Sequence, residues 1–174
     1  MSALEPRLFR DTCGAFATGV NVITTHSDGH DHGMTANAFM SISLDPPLIA
    51  ISIAEKARML EKIQRSGRFA VSILASGMDA IAWHFAGKPN PDLHDLFDRL
   101  EGLPVIRGAI ATFAAVVHDE IIAGDHTIFI GRVEALARNG DAAPLLFFEG
   151  KFGALENTRK APASMLQIET EFMW

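Results

Sequence analysis

The stretch that most restricts what this chain can become runs from Gly33 to Ile53, GMTANAFMSISLDPPLIAISI. It begins with small and hydroxyl-bearing residues, Thr35, Ala36, Asn37 and Ala38, whose short side chains let a flat ligand approach the backbone. Ser41 and Ser43 follow at a spacing of two, which places both on one face of an extended segment. Asp45-Pro46-Pro47 then interrupts any ladder, because neither proline has an N–H to donate. Leu48 to Ile53 is an apolar run of strand length. A polar strand, a rigid corner and a buried strand predict a cradle for a planar ligand.

Three pieces in order carry a family resemblance: FATGVNVITT at 16–25, TANAFMSISLDPPL at 35–48 and GDHTIFIGRVEAL at 124–136. Together they resemble the flavin reductase family, the small reductase components that serve two-component flavin monooxygenases. The likeness spans roughly Phe9 to Leu155.

The bulk properties suit a single domain over residues 1–174, long enough to bury a core without staples. The chain is 48% hydrophobic and 21% charged, an ordinary globular balance. A net charge of −6 argues against nucleic acid as partner, since phosphate backbones need a basic face. No run of 18 apolar residues points to a membrane, and the N-terminus lacks a secretory pattern. One cysteine, Cys13, excludes an internal disulfide. These features predict a soluble, cytoplasmic protein.

Along the chain, Pro6 to Thr18 reads as a helix stopped by Gly19, with Leu8, Phe9, Cys13 and Phe16 on one face and Cys13 a small core residue. Val20 to Thr25 reads as a strand. The turn from Ser27 to Gly33, with His26, His30 and His32 around it, is a solvated hairpin tip rather than a metal site, because no second cluster completes a ligand set. A helix is expected to open at Ala54 and run to about Ser66, with Gly67 as its stop. Phe69 to Leu74 is a strand, Met78 to Ala86 a short helix, and Leu93 to Leu100 an amphipathic helical turn. Ala109 to Ile122 and Thr127 to Leu136 read as an antiparallel pair around Gly124-Asp125. Leu145 to Phe148 is a further strand, Phe152 to Leu155 closes the sheet, and the tail after Glu156 carries no pattern. Periodicity alone gives an antiparallel barrel capped by helices. The resemblance implies the split β-barrel, mainly β with flanking helices, built as a homodimer.

The resemblance also implies the chemistry. Flavin, as FMN or FAD, contacts Thr35, Ala36, Asn37, Ala38, Ser41, Ser43, Ser52, Lys56, Ala57, Arg58, Phe85 and Ala86. The hydride donor, NADH or NADPH, meets Asp125, His126 and Phe152. No residue is singled out as catalytic, because the cofactor carries the hydride chemistry and the protein binds and orients. No G-x-G-x-x-G follows a strand, so the nicotinamide must lie directly over the flavin. From Glu55 to Arg68 there are five basic residues and two acidic ones, a cluster suited to an anion. One departure stands out: Ala54-Glu55-Lys56-Ala57-Arg58 has no Ser or Thr, so phosphate binding falls to Lys56, Arg58 and backbone N–H groups. The implied function is NAD(P)H-dependent reduction of flavin for a separate monooxygenase. A non-catalytic flavin-binding module and a pyridoxamine-phosphate oxidase-like enzyme are the alternatives.

Overall fold

Residues 33–53 form not two strands about a corner but parts of three strands at the two ends of one curled sheet. The structure is a computed structural model that describes residues 4–140 and 142–155; the patternless tail from Glu156 lies outside the described residues, as does Asp141. Helix α1 (Pro6–Gly14) leads into the short β1 (Thr18–Gly19) and then into β2 (Asn21–Ser27), β3 (His30–Ala36), β4 (Phe39–Leu44) and β5 (Pro47–Ala54). Helix α2 (Arg58–Ser66) and β6 (Arg68–Ile73) follow, then α3 (Asp79–Phe85) and the hairpin β7 (Phe97–Leu100) and β8 (Leu103–Ile106). The long strands β9 (Ala111–Ala123) and β10 (His126–Arg138) precede the small β11 (Leu146–Phe148) and β12 (Lys151–Gly153).

Seven strands form one antiparallel sheet in the order β3-β2-β6-β9-β10-β5-β4. Its two edge strands are consecutive in the chain, joined only by Asn37 and Ala38. Three Cα–Cα steps of about 3.8 Å hold Ala36 and Phe39 within about 11 Å of each other. The sheet therefore curls until its edges face across that link without pairing, a mainly β split barrel. Alternation sorts the side chains into two cores. Ile23, Ile51, Ile53, Phe69 and Phe129 fill the inside, and Met59 and Ile63 of α2 plug it. Val22 and Leu74 lie outside, packed with Ala82 of α3, and Ala70 and Ala114 lie beneath β8. Burial on both faces explains why these strands read as nearly continuous apolar runs.

Gly131 shows how tight the inner core is. A Cβ there would lie 2.4 Å from Cζ of the buried Phe69 ring and 2.9 Å from Cβ of Ala115. Gly131→Ala must displace that ring, and overpacking of this kind costs about 1–3 kcal/mol. A fall in the denaturant midpoint at unchanged slope is the expected result, and an unshifted midpoint would show the ring moves freely.

Several expectations need correction. Helix α1 ends at Gly14, and Gly19 pairs with Leu146 in a separate sheet, β1-β11-β12. Cys13 is exposed and α1 buries none of its residues, because the helix stands off the sheet instead of packing on it. Phe152 likewise closes this small sheet and not the main one. Helix α2 starts at Arg58, four residues later than expected, with Ala57 as an N-cap that offers no side-chain bond. The preceding residues belong to the sheet: Ala54 pairs with His126, and the Glu55 N–H donates to Asp125 O at 3.0 Å. Leu93–Leu100 is not helical; Phe97–Leu100 pairs with Leu103–Ile106 around Glu101-Gly102, whose positive φ angles of 48° and 79° make the tight turn.

Candidate functional site

The link Asn37-Ala38 is exposed and belongs to neither edge strand; Asn37 lines both of two adjoining cavities, and Ala38 lines the second. The first, of about 250 Å³, is lined by Thr35, Ala36 and Asn37 on one side and by Trp83 and Ala86 of the α3 end on another. Phe147, Gly150 and Phe152 of the small sheet close it. That sheet is docked by a chain of backbone bonds: Val20 N–H donates to Leu145 O, Leu145 N–H to Leu74 O, and Leu74 N–H to Val20 O. Helix α3 is held on β3 by the Thr35 hydroxyl, which donates to Ala82 O at 2.7 Å. It also depends on Gly33, where any Cβ would fall 2.5 Å from the Phe85 ring. Thr35 thus presents its backbone, not its hydroxyl, to the cavity. Phe85 supports the wall from behind, packed against Phe97 and the outer core.

The serines are arranged differently from their spacing. Ser41 pairs with Ile49 and Ser43 with Leu48, so Ile42 is an extra residue in a bulge. Ile49 and Leu48 are consecutive and face opposite ways, so Ser41 and Ser43 lie on opposite faces of β4. The Asp-Pro-Pro corner is a two-residue hairpin turn in which Leu44 pairs with Pro47. Ser52, half-buried, pairs with Ile128 in the interior of β5.

A second group gathers where β5 ends. Phe39 pairs with Ile51, so the link projects from β4 toward the Ala54 end of β5, the end that His126 pairs. There His126 Nδ1 lies 2.7 Å from Asp125 Oδ1. That hydrogen bond and the charge of His126, with a smaller contribution from Lys56, hold the exposed Asp125 carboxyl below its ordinary range. Nδ1 is engaged by the carboxylate, which leaves Nε2 as the free atom of the ring. Lys56, Ala57 and Arg58 occupy the turn leading into α2 beside this hairpin, with Lys56 and Arg58 exposed. Neither cavity is lined by Asp125, His126, Lys56 or Arg58.

Three other histidines are engaged locally. His26 Nδ1 lies 2.7 Å from Asp31, His30 Nδ1 2.9 Å from Asp28 O, and His84 Nδ1 accepts the Asn90 N–H at 3.0 Å. No group of three or more His, Cys, Asp or Glu among the described residues could hold a metal ion.

Residues 13–156 match the family model described as a flavin reductase like domain. The chain belongs to this family. An NADH-dependent flavin reductase from a Rhodococcus species is 42% identical over 156 residues, 88% of each chain. The reductase component of 4-hydroxyphenylacetate 3-monooxygenase from Thermus thermophilus is 35% identical over 81% of this chain and 91% of its own. The solved structure of the flavin reductase PheA2 superposes with a TM-score of 0.85 at 49% identity, covering 88% of this chain and 100% of that one.

For a flavin reductase like chain, the geometry adds residues that the sequence reading passed over. Trp83, half-exposed on α3, meets Phe152 edge-on at 5.2 Å, and Phe152 meets Phe147 at 5.8 Å. Lys88 Nζ sits 4.0 Å over the Trp83 ring. Trp83 carried a signal of its own, an aromatic on the polar side of α3. Phe147 and Gly150 carried none, because only the docking of the small sheet brings them to Asn37.

Proposed function

We propose that this chain is an NADH-dependent flavin reductase that supplies reduced flavin to a separate monooxygenase component. The observation that carries it is the exposed link of small residues beside a cavity walled by Trp83, Phe147 and Phe152. Ala36, Asn37 and Ala38 let a flat ring approach the backbone, and aromatic edges flank its plane. The residues present therefore fit flavin. Bound there, flavin supplies the hydride chemistry between the nicotinamide and the reduced product. The chain's own part is to hold the rings in a fixed plane, to exclude water with the aromatic wall, and to hold the donor near the link. We assign that last task to His126, with Nδ1 fixed by Asp125 and Nε2 turned to the donor. The two named relatives, one NADH-dependent and one a monooxygenase component, support this reading.

The finer parts follow from the same reading. The chain is one domain and works in the cytoplasm; among the described residues no helix is long and apolar enough to cross a membrane. It works as a homodimer, supported by the exposed Ile121 and Ile122 at the tip of β9. FMN and FAD are both accepted as flavins. Steady-state NADH oxidation that depends on added flavin tests the activity, and oxidation no faster than without the protein would contradict it.

Lys56 and Arg58 hold the flavin phosphate in this reading. Replacing both with Ala should weaken FMN far more than riboflavin, which lacks the phosphate. Each charge-assisted hydrogen bond contributes about 1.5–3 kcal/mol, so a loss of one bond is at least about tenfold in Kd. Equal weakening of both ligands in a titration would place these residues in the fold's support instead.

A further inference from the structure

Asp31, Gly33 and Thr35 alternate along β3, so all three face the same side of that edge strand. Each holds a different piece of what covers it. The Thr35 hydroxyl donates to Ala82 O, Gly33 leaves room for the Phe85 ring, and Asp31 receives Arg99 from β7. Ala36, the next residue of the strand, lines the first cavity, as do Trp83 and Ala86 on either side of Phe85. We infer that Asp31 and Arg99 are positioning residues for flavin binding: their ion pair braces β7 behind α3 and so fixes how Trp83 and Ala86 stand over the link. This rests on the reading of the link as the flavin cradle.

The pair has the geometry of a fixed strut. Arg99 Nη1 and Nη2 donate to the two carboxylate oxygens of Asp31 at 3.0 and 2.6 Å, a two-pronged contact. Nη1 also donates to Gly102 O in its own turn at 3.3 Å, so the guanidinium is held from both sides. On the other flank His26 Nδ1 lies 2.7 Å from Asp31 Oδ1. Burial pushes the Asp31 carboxyl up, but hydrogen bonds from His26 and Arg99 and the charge of Arg99 hold it below its ordinary range. The partner strand needs no such tie. Across β8 the Thr24 hydroxyl donates to Pro104 O, the Ile106 N–H donates to the Ser72 hydroxyl, and Leu103, Val105 and Ile106 are buried. From β7, among the described residues, the side-chain hydrogen bonds to the seven-stranded sheet are those of Arg99 to Asp31. What β7 carries inward is Phe97, whose ring stands 5.8 Å from that of Phe85. The contacts therefore run from Asp31 through Arg99 and Phe97 to Phe85, and end between two residues of the cavity wall.

Arg99→Gln and Asp31→Asn each remove the ion pair while keeping the side chain's shape and leaving the buried cores intact. Three quantities are read on each folded variant: the FMN Kd, the melting temperature, and acrylamide quenching of Trp83 fluorescence without flavin. The chain has two tryptophans, so the quenching is measured in a Trp174→Phe background. Substitutions that touch no ligand shift such couplings by between about twofold and 30-fold, and the FMN Kd is expected to rise by that much. Quenching of Trp83 should increase in the same variants. Phe97→Ala should reproduce both changes, and adding Arg99→Gln to it should raise the Kd no further, because the two residues act along one route. A lower melting temperature with unchanged Kd and unchanged quenching would overturn the proposal, since the pair would then only support the fold. So would a Kd in the double variant that equals the two separate losses multiplied together. Failure of the unsubstituted chain to bind FMN would strike the flavin reading instead. The quenching comparison needs no flavin and would then decide the brace by itself.

Discussion

Ala36→Trp is expected to abolish binding of both FMN and FAD, a loss of at least about 100-fold in Kd, or roughly 2.7 kcal/mol. Ala36 is half-buried at the end of β3 and lines the cavity of about 250 Å³, so an indole there occupies the space a flavin ring needs. The residue's backbone pairs with Asn21, and that ladder does not depend on the side chain. Overpacking adds a stability cost of about 1–3 kcal/mol, which a melting curve measures separately. Flavin titration of the folded variant is the readout. Unchanged affinity for both flavins would remove the link from the binding site.

His126→Ala is expected to raise the NADH KM and lower kcat while flavin affinity stays near the unsubstituted value. A contact made equally in ground and transition states raises KM alone; one that also aligns the hydride lowers kcat. Both changes are expected, because no separate nucleotide-binding domain among the described residues holds the donor in line. Misplacement of a reacting group can cost up to about 100-fold, which sets the scale for kcat/KM. The variant should fold, since the pairing of residue 126 with Ala54 and Ala123 is made by backbone. If the ring served only to pin the hairpin through Asp125, the melting temperature would fall and the steady-state constants would stay near normal. Stopped-flow flavin reduction across an NADH titration, beside the melting curve, separates these outcomes.

The strands were legible where both faces are buried, as in Val20–Thr25 and Phe69–Leu74, because such runs leave no other packing open to them. The motif order was enough for the family. What the sequence hid follows from long-range pairing. TANAFMSISL reads as one continuous polar segment, and only sheet closure shows that it joins the two edges at Asn37-Ala38. The period-two reading of Ser41 and Ser43 failed because the bulge at Ile42 is set by the partner strand. Cys13 read as core because helical periodicity marks an apolar face without saying what lies opposite; here that face adjoins a cavity. The start of α2 was displaced because β10 claims Ala54 and Glu55 through Asp125-His126, a contact 70 residues away along the chain. Within the site, the residues at the link were found from small-residue chemistry. Trp83 and Phe147 were not, since they arrive on separate elements.

The most direct measurement is anaerobic stopped-flow mixing of the chain and stoichiometric flavin with increasing NADH, following loss of the oxidised flavin absorbance. The expected result is bleaching whose rate saturates with NADH, scales with bound flavin, and disappears in Ala36→Trp. Bleaching no faster than flavin and NADH alone, or equally fast in Ala36→Trp, would contradict hydride transfer at the Asn37 link.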